Sequence, residues 1–133
     1  MNGIFQALYF TGLIISLAVG VWHFFIPSLF KWHKYIPDVP KWLWVAINWC
    51  NIFFSICLTG MSALLLIFHQ EVSGRNTAAL GLYGLLVLVW LCRSVVTAFY
   101  NWGHDVVWKF QLTVPVMLFL ILVIPLAGLI VTL

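Results

Sequence analysis

Arg93 stands inside the apolar stretch Ala78–Tyr100, with Val89-Trp90-Leu91-Cys92 before it and Ser94-Val95-Val96 after it. A charge at such a depth in a bilayer costs roughly 2.5–3.5 kcal/mol on insertion scales, so this guanidinium is expected to face a protein interior or a wet cavity, with partners. Candidates for those partners come from two other apolar stretches. At about 1.5 Å per residue, His23 lies about 12 Å from Lys31, Asn48 about 10 Å from Lys41, Asn51 about 15 Å from Lys41, and Arg93 about 13 Å from Trp102. Three stretches thus bring polar side chains to one common depth.

Helical spacing orders these residues further. Asn48, Asn51, Ser55, Thr59 and Ser62 recur at steps of three and four, which draws one polar stripe along a helix. Gly12, Ser16, Gly20, His23 and Pro27 draw a second stripe of small residues, suited to close helix approach. The two stripes are expected to face each other. Pro27 has no N–H to offer the carbonyl four residues earlier, which is that of His23, so an acceptor is freed at the depth of the cluster. Pro115 does the same to Gln111.

A guanidinium beside amide donors and an imidazole is suited to an anionic or carbonyl-bearing ligand: a phosphate, carboxylate, quinone carbonyl or lipid headgroup. Arg93, His23, Asn48, Asn51 and Ser55 are therefore the candidate ligand-binding residues. No carboxylate lies deep in any stretch, which argues against proton-coupled export of cations and leaves His23 the one deep group that titrates near neutral pH. The chain reads more as a binding protein than as an enzyme. Each residue also has a plainer use: His23 as a hydrogen-bonded interior histidine, the two asparagines as interhelical ties worth about 1 kcal/mol or less each, and Arg93 snorkelling toward the interface.

Cys50, Cys57 and Cys92 form no CxxC pair and no zinc-like spacing, so buried packing is their expected role. His33, His69 and the pair His104-Asp105 fall in connections, where solvation is the ordinary fate. A metal site needs convergent ligands, and His23 alone among the histidines is deep, so no metal is assigned. The cofactor stays unnamed, although His23 could serve a haem or quinone in a redox subunit.

The elements that must hold these residues are four apolar stretches: Ile4–Phe30, Trp42–Phe68, Ala78–Tyr100 and Gln111–Leu133. Each reaches the ~20 residues needed to cross a hydrocarbon core about 30 Å thick. None alternates polar and apolar residues as a barrel strand does, so helices are expected. The fold class predicted is an all-α integral membrane protein: one domain, residues 1–133, forming a four-transmembrane-helix bundle with short loops. Composition agrees, since 65% of the 133 residues are hydrophobic and 7% are charged, more apolar side chain than a soluble domain of this length can hide.

The start, Met1-Asn2-Gly3, lacks the basic region and cleavage site of a secretory signal, so the first stretch is expected to remain. Lys31, Lys34 and Lys41 lie in the first connection and Lys109 in the third, against Arg75 in the second. The positive-inside rule then places connections one and three in the cytoplasm and both termini outside. Trp32, Trp42, Trp44, Trp102 and Trp108 gather on the same side as an aromatic belt. A weak echo between Val21-Trp22…Trp32-His33 and Val89-Trp90…Trp102-Gly103-His104 hints at duplicated hairpins related about the membrane normal.

A net charge of +3 without a basic run excludes nucleic acid as a partner. Membrane lipid, a second copy of the chain or a larger membrane complex are the partners this surface implies. The function expected is a small multi-pass binding or transport protein with a cationic pocket in the cytoplasmic third of the bilayer. The alternatives are an accessory subunit, whose polar residues only hold it together, and the redox subunit already mentioned.

Overall fold

A computed structural model describes residues 3–35, 38–99 and 105–131, with the side chains of Tyr35 and of 105–110 outside that description. Every described element is a helix. Four are long: α1 (Gly3–His23), α4 (Lys41–Ile67), α6 (Thr77–Phe99) and α7 (Asp105–Val131). Three are short: α2 (Ile26–Leu29), α3 (Trp32–Tyr35) and α5 (His69–Ser73). The four long helices are long and apolar enough to cross a bilayer, as a multi-pass membrane protein requires.

The boundaries differ from the sequence expectation in two places. The first stretch does not run unbroken to Phe30: α1 stops at His23, where Phe24 and Phe25 donate to the carbonyls three residues back, and α2 restarts with Pro27 in its first turn. Pro27 tolerates that position because a first-turn N–H has no intrahelical partner to lose. The fourth helix begins six residues early, at Asp105 rather than Gln111, and runs through both Pro115 and Pro125. The connections are not plain loops either, since α3 and α5 lie within them. Lys31 after α2 and Arg75 after α5 adopt positive φ, 50° and 61°, the left-handed turn that closes a helix. Asn76 opens α6, its Oδ1 accepting from the N–H groups of Ala78 and Ala79 at 3.0 and 3.3 Å.

Around the bundle, α1 packs between α4 and α7, while α6 closes the ring against α7 and, more loosely, α4. The expected facing of the two stripes holds for part of their length. Gly20 lies against Thr59 of α4, but Gly12 lies against Leu122 of α7, so the small-residue stripe serves two neighbours. Between them Ser16 points to the bundle axis. The axis is filled by Tyr9, Leu13, Ser16, Leu58, Leu65, Tyr83, Leu86, Trp90, Leu118 and Leu122, all essentially buried. The outer surface is apolar, with Phe53, Ile56, Leu88 and Met117 about half exposed. The three cysteines lie on that outer surface, not in the buried packing expected of them.

Helix ends and proline turns leave carbonyls that an apolar environment cannot solvate. Side chains from neighbouring helices meet several of them. Leu65 belongs to the last turn of α4, and its carbonyl accepts from the Tyr9 hydroxyl at 2.6 Å. Tyr83 makes a second interhelical bond, donating to the Leu122 carbonyl of α7 at 2.7 Å. The two tyrosine rings meet edge-to-face, centroids 5.2 Å apart, so α1 and α6 touch across the bundle.

Midway along the axis, Ser16 receives Trp90 Nε1–H at 3.1 Å and shares a 2.9 Å hydrogen bond with Ser62, whose hydroxyl is also 2.8 Å from the Leu58 carbonyl. A carbonyl cannot donate, and Ser62 has one proton. A consistent order therefore sends the Ser62 proton to Leu58 and the Ser16 proton to Ser62, which ties α6, α1 and α4 in one chain.

Candidate functional site

His23 ends α1, and its ring is fixed by its own helix. Nδ1 lies 2.8 Å from the Val19 carbonyl, an acceptor, so Nδ1 carries the proton and Nε2 is the acceptor nitrogen of the neutral ring. The main-chain carbonyl of His23, which Pro27 cannot serve, accepts from Asn51 Nδ2 at 2.9 Å. That bond joins α1 to α4 at the end of the bundle reached by the Lys31–Lys41 connection. The His23 ring also leans on Phe54, centroids 5.3 Å apart.

Arg93 enters from α6. It is half-buried and, with Phe54, Leu88, Val89, Cys92 and Val96, lines a cleft of about 330 Å³ in the α4–α6 seam. Side chains on a helix lean toward its N-terminus, which for α6 is away from this end of the bundle. The guanidinium is thereby biased toward the cleft rather than outward along the helix. Phe54 links His23 to the cleft, its ring 5.3 Å from the imidazole and itself part of the cleft wall.

The other candidates are disposed differently. Asn48 turns back on its own helix, donating to the Trp44 carbonyl at 2.8 Å. Ser55 is buried and donates to the Asn51 carbonyl at 2.7 Å. Such back-bonding satisfies a hydroxyl without a partner helix. Of the α4 stripe, Asn51 and Ser62 reach α1. Thr59 Oγ1 is buried against Gly20 with no hydrogen-bond partner.

Tyr9, Tyr83 and Trp90 are the polar residues that stripe-reading overlooked. Their rings count as apolar in a periodicity argument, and the signal that could have marked them is that each must find an acceptor wherever water is absent. Trp102, His104 and the side chains of Asp105, Trp108 and Lys109 lie outside the described residues, and with them part of the aromatic belt, the histidine–aspartate pair and the second half of the proposed repeat. Among the described residues no three His, Cys, Asp or Glu converge.

A second cleft, about 480 Å³, opens in the same α4–α6 seam at the opposite end of the bundle. Leu64, Leu65, Phe68, Ala78, Ala79 and Leu82 line it together with Glu71 and Asn76. Both volumes fall in the range of small-molecule sites.

No family model, curated protein or solved structure matches the chain.

Proposed function

We propose that this is a membrane binding protein that takes an anionic or carbonyl-bearing ligand at Arg93, entered sideways from the lipid through the α4–α6 seam. The observation that carries the reading is that half-buried Arg93 lines a cleft whose other lining residues are Phe54, Leu88, Val89, Cys92 and Val96. A charge in such surroundings binds an oxyanion strongly, because charge-assisted hydrogen bonds gain most where water is excluded. His23 supports the site through Phe54 and offers Nε2 to a ligand hydroxyl. Asn51 holds His23 in place through its carbonyl.

Passage through a single chain is disfavoured by the packed axis, where Tyr9, Tyr83 and Leu86 are fully buried. Transport would then call for a second copy or a different conformation. Binding is the activity that one chain can carry.

The accessory-subunit reading is favoured by a separate observation: Asn48, Asn51 and Ser55 all give protons to main-chain carbonyls. Titrating purified protein with dodecanoate and with uncharged dodecanol separates the two. Wild type should prefer dodecanoate by about tenfold or more, the scale of one charge-assisted hydrogen bond, and Arg93→Gln should lose the preference while melting as wild type does. Equal affinity of wild type for the two probes, with Arg93→Gln melting lower, would establish the structural role instead.

A further inference from the structure

The two clefts share one face of each helix. On α6, Ala78, Leu82, Val89, Arg93 and Val96 recur at steps of four, seven, four and three. On α4 and its C-cap, Phe54, Leu65 and Phe68 are separated by eleven and three. Steps of three, four, seven and eleven keep a residue on the same side of a helix, so the two clefts open on the same side of each helix. From Phe54 to Leu65 on α4, and from Leu82 to Cys92 on α6, the sequence contains no charged residue. Arg93 is thus the single cation of the track, near one end of it, while Glu71 and Asn76 join the apolar wall of the far cleft.

We infer that the seam holds one single-chain lipid: a long-chain carboxylate, its head on Arg93 and its chain lying between α4 and α6 to the cleft at Leu82 and Phe68. This rests on the ligand reading above and narrows it. Charge selects the head. One guanidinium matches one negative charge, and its planar fork matches the two oxygens of a carboxylate, whereas a phosphate monoester brings a second charge that the apolar walls leave uncompensated. Size favours a single tail. The cleft at Arg93 is small, about 330 Å³, which suits one chain better than two. Length follows from the register. Leu82 and Arg93 are eleven positions apart, about 16 Å of helix, a span that stearate covers and decanoate does not.

The experiment uses the full chain in detergent and stearate spin-labelled near its methyl end, read by the immobilised fraction in the electron spin resonance spectrum. Competition then ranks unlabelled stearate, decanoate, octadecanol and octadecyl phosphate. Stearate should compete best. Ala78→Phe, at an exposed position of the far cleft, and Ala79→Leu, a smaller change in the same wall, should weaken stearate by about tenfold, as the loss of roughly two buried methylenes does. Neither should change decanoate. Arg93→Gln should weaken both acids and leave octadecanol unaffected. If Arg93→Gln acts on both acids but the two alanine variants do not separate stearate from decanoate, the track is wrong and the head site stands. Octadecyl phosphate outcompeting stearate would overturn the carboxylate assignment, and no effect of Arg93→Gln on either acid would remove the head site together with the track.

Discussion

At the scale of single residues, the polar groups of this bundle divide by what they serve. Asn51 serves a carbonyl on another helix, and Asn51→Leu should leave the His23 carbonyl without that donor. In membrane proteins such ties average about 0.6 kcal/mol and reach about 1.7, so a loss near 1 kcal/mol is expected in a reversible unfolding assay in mixed micelles. Loss below the assay's resolution would show that water or another donor replaces the amide. Thr59 gives the opposite sign. Its hydroxyl is buried and unpartnered, so Thr59→Val, which keeps the shape, should be neutral or stabilise by up to about 1 kcal/mol. The proline argument made the acceptor on His23 legible in the sequence, and the three-and-four stripe put Asn51 at the right depth to meet it. Which other amides and hydroxyls would turn back on their own helix was not legible. Asn48 and Asn51 differ in neither residue type nor depth class, and the choice between Trp44 and His23 as acceptor is made by which neighbour the helix rotation presents.

The scale of elements is governed by how closely backbones approach. A Cβ on Gly20 would stand 2.6 Å from Thr59 Oγ1 and 2.9 Å from the Thr59 main-chain nitrogen, which cannot move aside as a side-chain tip can. Gly20→Ala should therefore separate α1 from α4 and cost about 1–3 kcal/mol, the usual penalty of overpacking. Gly84→Ala meets open space and should be neutral or mildly stabilising through helix propensity. Parallel melts of the two variants decide the matter, and equal effects would contradict the packing described. Tyr83→Phe removes the bond from α6 to the Leu122 carbonyl of α7 and should cost about 1 kcal/mol in the same assay, the scale of such ties in membrane proteins. The four long helices were readable because bilayer thickness dictates their length. The break at Phe24 and Phe25 was not, since Pro27 signals a disturbed turn without saying whether the helix bends or stops. Nor was the start at Asp105, where Asp105 and Lys109 made a helical segment look like a connection.

For the molecule as a whole, the distribution of lysine predicts orientation. With Lys31, Lys34, Lys41 and Lys109 on one side, Arg75→Cys in a cysteine-free background should react with a membrane-impermeant maleimide on intact cells, and Lys34→Cys only after permeabilisation. The reverse pattern would invert the topology. Which helices neighbour which was not legible from sequence, because stripes of small residues specify close approach without naming the partner. Gly12 illustrates this, belonging to the same stripe as Gly20 yet serving α7 instead of α4.

The exchange of caps between helices bears on how the protein is made. Asn51 finishes α1 while Tyr9 finishes α4, and Tyr83 ties α7 to α6, so each consecutive pair makes its own polar bond before the other pair is needed. A nascent chain released after α5 already holds a reciprocal hairpin. Biogenesis can then proceed as two successive insertions followed by docking, with Trp90 finding Ser16 as the halves close. Severing the polypeptide at Gly74 and synthesising the two pieces from separate messages should still yield one assembled particle, and replacing Ser16 with valine should hinder that docking far more in the split protein than in the intact one.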